Sequence, residues 1–342
     1  MKKIIVFLFV FFINNIAVRA SYVVLNQDDN MVISGNNIHE RRLIASITKV
    51  MTAHIVISNA NLSDVVEVGD EVNDAHGSSI YLAKGEKLTV EELLYGMMLR
   101  SGNDAAIVLA KYVGGSVDNF VNLMNEEVKR LGLKDTIFMN PTGLDDDVEG
   151  NISSAYDMAI ITNTAMKNKI FRKIFKTKHY TCKSNIKSFD WYNKNKTLYK
   201  YKYVTGGKTG FTKKARRTLI TTASKDNMNL TIVTLNVNDD FNFHISTYKN
   251  IFDEYQKYLI INRYDLKIED KIYKQKGCTF FMLNNYYYLA KKRELADLNI
   301  EYIINKNTNI KNNNIVGNVN VYKKNKLIFD EPIYLSCKER IN

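Results

Sequence analysis

Residues 45–53 read ASITKVMTA, and two shorter motifs follow further along the chain: SGN at 101–103 and KTG at 208–210. In the first motif Ser46 and Lys49 are three residues apart, at the start of an apolar run that predicts a buried helix. Side chains at this spacing lie on the same helix face. We therefore expect both to point the same way at a helix N-terminus, where backbone N–H groups favour developing negative charge.

Ser46 and Lys49 are of the residue types that act as a nucleophile and its general base. A free lysine has a pKa of about 10.4, so Lys49 can act as a base at neutral pH only if its pKa is lowered. Burial beside a second cation would do this, and Lys208 is the candidate for that cation. The ammonium of Lys208 would also suit an anionic group of a substrate. The residues thus indicate acyl transfer by serine.

The other two motifs supply candidate substrate contacts. The SGN motif interrupts a helical pattern and places Ser101 and Asn103 at a loop tip, where they suit proton relay and hydrogen bonding to a substrate amide. The KTG motif is expected to end a strand, where Gly210 leaves room for a peptide and Lys208 and Thr209 grip a carboxylate. Each motif alone is common. The glycine spacing before Lys208 is not that of a phosphate-binding loop.

The length and the N-terminal pattern of the chain indicate its number of domains and its cellular location. The chain has 342 residues, of which 45% are apolar, which suits about two domains. Two lysines precede the apolar residues 4–13, and VRA at 18–20 offers a cleavage site before Ser21. This predicts a secretory signal peptide over residues 1–20, with an uncleaved anchor as the alternative. We expect an exported protein, in the periplasm or at the outer face of the cytoplasmic membrane.

The formal net charge of +12 bears on the partners. A basic exported protein suits an anionic polymer or membrane surface, although a drift in composition toward lysine and asparagine explains the charge equally well. No nucleic-acid-binding motif is present, so we expect no nucleic-acid partner. The cysteines, Cys182, Cys278 and Cys337, lack metal-ligand spacing and are interpreted as small hydrophobic residues, at least one of them unpaired. We expect no metal and no cofactor.

Hydrophobic periodicity divides the chain into two regions. Residues 22–34 predict a β-hairpin, and Thr89 with Glu92 predicts a helix that opens with a capping box. After about residue 261 helical periods give way to short strand-like runs. We therefore predict a larger domain over residues 21–261 and a small β-rich domain over residues 262–342.

With these motifs the chain resembles the low-molecular-mass penicillin-binding proteins, D-alanyl-D-alanine carboxypeptidases of the S11 peptidase type. The resemblance covers about residues 22–260. It includes LRSGNDAA at 99–106, LGLKDT at 131–136, NPTGL at 140–144, SSAYDMA at 153–159 and GKTGFT at 207–212. It implies a mixed α/β fold of the α+β type. A β-lactamase/transpeptidase-like domain, with an antiparallel sheet flanked by helices, would precede the small β-rich domain.

The resemblance also implies a role for each motif residue. Ser46 would carry the acyl-enzyme with Lys49 as base, and Ser101 would relay a proton. The oxyanion hole would come from the backbone N–H groups of Ser46 and Phe211. The implied substrates are the stem peptides of peptidoglycan, and β-lactam antibiotics are the implied inhibitors. The implied substrate-binding residues are Asn103, Lys208, Thr209, Gly210 and Phe211, with Lys208 and Thr209 on the terminal D-Ala carboxylate.

Three features depart from the family pattern. The sequence ends at Asn342, after a predicted strand and not in an amphipathic helix, so we expect at most weak association with a membrane surface. Arg216 stands where the family often has glycine. Residues 236–244 contain no arginine to help hold the carboxylate, which leaves that task to Lys208 alone or to Arg216 or Arg217.

The same site leaves alternatives open. A D,D-endopeptidase that cuts cross-links would use the same residues. A β-lactamase needs fast deacylation, for which class A enzymes use a glutamate in a dedicated loop. Residues 140–151 hold four acids but not that pattern. A non-catalytic cell-wall scaffold would keep the fold without turnover, although the intact motif residues count against it.

Overall fold

The computed structural model describes residues 20–145, 150–269, 277–305 and 313–337. Residues 1–19 of the predicted signal peptide lie outside these ranges, as do Asn342 and three of the four acids in the 140–151 segment. Of the helices within the described ranges, none combines the length and apolar character needed to cross a bilayer.

The helices and strands of the described residues are numbered here in chain order. The helices are α1 (Lys49–Asn59), α2 (Val90–Arg100), α3 (Asn103–Gly114), α4 (Val117–Arg130), α5 (Ala155–Ala165), α6 (Lys169–Lys176), α7 (Thr197–Lys200) and α8 (Asp240–Glu254). The strands are β1 (Ser21–Asn26), β2 (Val32–Asn36), β3 (Arg42–Leu43), β4 (Val65–Glu67), β5 (Lys87–Thr89), β6 (Ile152–Ser153), β7 (His179–Lys183), β8 (Ser188–Tyr192), β9 (Val204–Thr212), β10 (Arg216–Lys225), β11 (Met228–Leu235), β12 (Gln256–Ile261), β13 (Cys278–Phe281), β14 (Tyr286–Ala290), β15 (Leu298–Ile304), β16 (Ile315–Lys323) and β17 (Lys326–Cys337).

The chain divides into two compact units. The first comprises Met1–Ser224 with Asn229–Ser246, and the second comprises Lys225–Met228 with Thr247–Asn342, as far as their residues are described. Along the chain the main boundary therefore falls within α8. The domain boundary after residue 261 stays a prediction.

The first unit is built on a five-stranded sheet in the order β2-β1-β11-β10-β9. β1 pairs antiparallel with both β2 and β11, and β10 pairs antiparallel with β9. The hairpin predicted over residues 22–34 is thus confirmed as β1 and β2. The KTG motif does not end its strand as expected, because β9 continues to Thr212 and pairs with β10 along its whole length.

Helix α1 is the centre of the helical layer and contacts α2, α3, α4, α5 and α6. Its apolar residues Val50, Met51 and Val56 have no exposed surface, and burying each such side chain contributes about 1.5–3 kcal/mol. The 3-10 turn Ala45–Thr48, which leads into α1, contacts β9. The first and third motifs are therefore brought together by packing of the turn on the strand.

Interactions between residues close in sequence position the SGN motif as predicted. The Thr89 hydroxyl accepts a hydrogen bond from the Glu92 backbone, and the Glu92 carboxylate accepts one from the Thr89 backbone, which is the predicted capping box. Helix α2 ends at Arg100, and α3 begins at Asn103. Between them Ser101 adopts a left-handed backbone with φ of 66°, which turns the chain sharply at the motif.

The second unit is β-rich, as predicted. β12 pairs with β14, and a four-stranded sheet has the order β13-β17-β16-β15. A disulfide joins Cys278 on β13 to Cys337 on β17, which are paired in the sheet register. The interpretation of all three cysteines as small hydrophobic residues was therefore wrong for these two, since strands far apart in sequence bring them together. Cys182 is the free cysteine.

Candidate active site

Ser46 lies in the tight turn before α1. The preceding Ala45 has φ of 50°, an uncommon backbone for a residue with a side chain. Gly143, with φ of 81°, lies against this turn so closely that a Cβ there would be 2.0 Å from the Ala45 carbonyl oxygen. Only glycine fits this position, so the 140–144 segment and the turn that carries Ser46 hold each other in place.

Lys49 is fully buried, and its ammonium has three hydrogen-bond acceptors. Lys49 Nζ lies 3.1 Å from Ser46 Oγ, 2.7 Å from Asn103 Oδ1 and 2.6 Å from the Thr142 carbonyl oxygen. These three partners come from the turn, from the start of α3 and from the 140–144 segment. The nitrogen is thereby fixed beside the serine hydroxyl that the spacing predicted would face it.

Burial lowers the pKa of Lys49 from 10.5 to about 7, because a buried ammonium loses its hydration. The positive charge of Lys194 lowers this pKa further, and the carboxylate of Asp104 opposes the change. A substantial fraction of Lys49 is therefore neutral at neutral pH. A neutral amine at this position can accept the proton of the Ser46 hydroxyl.

Lys208 is the second buried lysine of the site. Its Nζ donates to Ser101 Oγ at 2.9 Å and to the Thr209 carbonyl oxygen at 2.8 Å. Burial lowers the pKa of Lys208 well below its usual value, and repulsion by Lys49 and Lys194 lowers it further. Repulsion between the two buried ammonium groups disfavours the state in which both are charged.

Asn103 is held at both ends of its amide. Its Oδ1 accepts from Lys49, and its Nδ2 donates to the His76 carbonyl oxygen at 2.5 Å. Each of the two polar atoms of the amide can make two hydrogen bonds, so the contacts with described residues leave one acceptor and one donor position on this side chain. Asn103 is thus oriented by the protein before any substrate arrives.

Strand β9 passes directly beside the serine turn. A Cβ on Gly210 would lie 2.3 Å from Thr218 Oγ1 and 2.9 Å from the backbone nitrogen of Ser46. Any larger residue at Gly210 would have to move the strand, Thr218 or the turn. Beyond this contact the Phe211 side chain is 62% exposed, and Thr209 is half-buried.

Comparison with known proteins matches both regions of the chain. Residues 14–239 match the sequence profile of the D-alanyl-D-alanine carboxypeptidases, and residues 256–339 match that of the C-terminal domain of penicillin-binding protein 5. The first match spans more than half of the chain. The chain belongs to the D-alanyl-D-alanine carboxypeptidase family.

Individual family members agree with this assignment. D-alanyl-D-alanine carboxypeptidase DacF of Bacillus subtilis is 38% identical over 214 residues, and DacA of Escherichia coli K12 is 35% identical over 226 residues. Each alignment covers 61% of this chain and 54% of the relative, so the chain spans about half the length of the curated relatives it matches.

Solved structures extend the similarity over most of the chain. Penicillin-binding protein 5 from Haemophilus influenzae has a TM-score of 0.76 at 26% identity, and the alignment covers 93% of this chain and 96% of that chain. The expected family fold, a transpeptidase-like domain followed by a small β-rich domain, is thus confirmed.

The family resemblance left the Arg216 and Arg217 side chains as possible partners for a substrate carboxylate. Arg217 Nη2 forms an ion pair with Asp240 Oδ1 at 2.5 Å, and the guanidinium lies over the Phe241 ring. Its charge is therefore already compensated within the protein, which favours Lys208 over Arg217 as the carboxylate partner. Arg216 is exposed at the start of β10.

Sequence reasoning missed two charged residues that act on the site. Asp104 is buried, and its carboxylate accepts from the Ser79 hydroxyl and from the backbone N–H groups of Ile80 and Leu82. An acid directly after SGN in a buried helix was a usable signal, because buried charges require partners. Lys194 carried no such signal, since it lies far along the chain in the segment after β8.

Proposed function

We propose that this protein is a serine-type D-Ala-D-Ala carboxypeptidase that removes the terminal D-Ala from peptidoglycan stem peptides. The observation that carries the proposal is the fully buried Lys49 amine, with a pKa of about 7, 3.1 Å from Ser46 Oγ. A serine activated by a neutral lysine is suited to attack an amide carbonyl. Membership of the carboxypeptidase family supports the choice of substrate.

In the acylation step Ser46 Oγ attacks the carbonyl carbon of the penultimate D-Ala while the Lys49 amine takes the hydroxyl proton. The backbone N–H groups of Ser46 and Phe211 stabilise the oxyanion. When the C–N bond breaks, the proton that Lys49 took passes through Ser101 to the leaving D-Ala amine, and Lys49 is neutral again. Ser101 is hydrogen bonded to Lys208. Lys49 then takes a proton from the water that attacks the ester and passes it to the Ser46 oxygen, which releases the shortened peptide as its acid.

Lys208 and Thr209 bind the terminal carboxylate in this proposal, and Asn103 binds a substrate amide. Burial and repulsion by Lys49 and Lys194 lower the pKa of Lys208 in the free protein. An arriving carboxylate stabilises the charged form, so substrate binding and proton uptake by Lys208 are linked. Gly210 and Phe211 line the path along the β9 edge.

Partners and location follow from the same proposal. The substrates are stem peptides outside the cytoplasm, β-lactams are inhibitors, and no cofactor, metal or nucleic acid takes part in the reaction. The predicted signal peptide supports a location in the periplasm or at the outer face of the cytoplasmic membrane. Residues 1–20 carry three of the positive charges and no acid, so 12 − 3 = +9 remains after cleavage, and this net charge supports weak attraction to an anionic membrane surface.

Release of free D-Ala from a synthetic pentapeptide ending in D-Ala-D-Ala tests the proposal, with and without benzylpenicillin. We expect release that benzylpenicillin blocks. Cleavage of a cross-linked dimer but not of the pentapeptide would indicate a D,D-endopeptidase. A penicillin adduct that disappears within seconds would indicate a β-lactamase. If neither cleavage nor a penicillin adduct is observed, the non-catalytic scaffold is favoured.

Gly210→Ala is expected to slow acylation by benzylpenicillin by ~10²-fold. The new Cβ would press on the Ser46 backbone nitrogen, and losing one oxyanion donor costs ~10²–10³ in rate. The measurement is a time course of the covalent adduct by intact mass spectrometry. A melting temperature close to wild type would exclude unfolding as the cause, and an unchanged acylation rate would show that the contact has no catalytic consequence.

A further inference from the structure

His39, Asp135 and Asp157 form a cluster of possible metal ligands outside the candidate active site. One ligand atom from each residue lies within 4.8 Å of the other two. The residues come from three separate segments: the connection after β2, the segment after α4 and the first turn of α5. All three line one cavity of about 650 Å³ in the first unit.

The carboxylates of this cluster lack a cationic side-chain partner other than histidine. Asp135 Oδ2 lies 2.9 Å from His39 Nδ1, and in the described part of the chain neither aspartate pairs with a lysine or arginine. Lys134 also lines the cavity but forms no such pair there. Two neighbouring carboxylates without a lysine or arginine partner attract a divalent cation.

Asp157 supplies the second observation that points to a ligand. This residue is only 3% exposed, and both of its hydrogen bonds, from the Asp135 backbone and the Thr136 hydroxyl, end on Oδ2. Within the described residues Oδ1 accepts no hydrogen bond. Oδ1 is not among the fully buried side-chain atoms that lack a partner, so it remains accessible, and Asp157 lines the cavity. This oxygen is therefore available to a cation in the cavity.

We propose that His39, Asp135 and Asp157 bind one divalent transition-metal ion such as Zn²⁺, with water from the cavity completing the coordination. One imidazole and two carboxylates form a ligand set that suits Zn²⁺. Zinc bonds of about 2.0–2.2 Å separate tetrahedral ligands by roughly 3.4 Å. The separations of up to 4.8 Å would therefore have to shorten, and the 2.9 Å contact between His39 and Asp135 would have to open slightly. The metal takes the place of the proton between His39 and Asp135, and that proton moves to the other imidazole nitrogen.

The bound ion would link the segment after β2 to α5. Helix α5 packs against α1, which follows the turn that carries Ser46. This inference concerns stability and does not rest on the proposed function. An ion that binds the folded but not the unfolded chain raises the melting temperature.

Isothermal titration of the full-length protein with Zn²⁺ alone tests the site. We expect saturable one-to-one binding, and a melting temperature ~5–10 °C higher when free Zn²⁺ is 100-fold above the dissociation constant. His39→Asn and Asp135→Asn should each weaken binding by at least ~10-fold. Both positions retain solvent exposure and their side chains pair mainly with each other, so these variants should fold.

His179→Asn is the matched control. His179 also contacts a carboxylate, Asp190, at 2.5 Å, but no third ligand joins this pair within the described residues. The control should bind Zn²⁺ as the wild type does. Absence of saturable binding, or binding that His39→Asn and Asp135→Asn leave unchanged, would overturn the proposal. If benzylpenicillin does not acylate the wild type, this result contradicts the proposed function but not the proposed metal site.

Discussion

Ser46→Ala is expected to abolish the covalent penicillin adduct and to reduce release of D-Ala by ~10³-fold or more. The substitution removes the hydroxyl that lies 3.1 Å from the Lys49 amine at the start of α1. Removing the nucleophile of a serine enzyme eliminates the covalent pathway and leaves only the contribution of binding and oxyanion stabilisation. Intact mass spectrometry after benzylpenicillin measures the adduct directly.

Ser58→Ala is the matched control for this experiment. Ser58 lies near the end of α1 and is exposed, and its hydroxyl donates to the His54 carbonyl oxygen, its one side-chain hydrogen bond among the described residues. Its replacement should leave the adduct and the D-Ala release unchanged. An adduct of normal yield on Ser46→Ala would show that another residue is acylated and would end the proposed mechanism.

Lys49→Arg is expected to reduce the acylation rate by at least ~10³-fold, because an arginine cannot lose its proton at any working pH. In the wild type, acylation should follow the neutral fraction of Lys49, whose pKa is about 7. Above that pH the base is available. Below it the rate should fall about tenfold for each pH unit, since protonation removes the base. Acylation rates between pH 5 and 9 test this.

Lys194→Gln provides a graded test of the same base. The charge of Lys194 lowers the pKa of Lys49, so its removal should raise that pKa and move the acid limb of the rate profile to higher pH. The Lys194 side chain is exposed, so we expect a shift below about one unit that shrinks at high salt. If the acid limb of the acylation rate profile lies at the wild-type pH in both Lys49→Arg and Lys194→Gln, a group other than Lys49 controls the rate.

Features set by short-range interactions were predictable from the sequence. The capping box of Thr89 and Glu92 and the helix break at residues 101–103 depend on neighbours within a few positions, and both were predicted. The β1–β2 hairpin was predicted for the same reason. The strand that carries KTG was predicted to end too early, because its continuation depends on pairing with β10 and not on its own residues.

The site was predictable as a set of residues but not as an electrostatic environment. The spacing of Ser46 and Lys49 predicted that their side chains face each other, and they do so with Ser46 in the 3-10 turn and Lys49 at the start of α1. The cation predicted to lower the pKa of Lys49 was Lys208, whereas the second cause after burial is Lys194. Electrostatic effects act through space, and the motif holds no information on which distant charge lies nearby.

The sequence by itself determined the family, the nucleophile and base candidates and the β-rich character of the second region, because motif order and hydrophobic period are properties of the chain. Only the tertiary structure decided the burial of Lys49, the contact of Gly210 with the Ser46 turn and the Cys278–Cys337 disulfide. It also decided the cluster of His39 with two aspartates. Each of these joins segments far apart in sequence, and their distance is set by the packing of the whole unit.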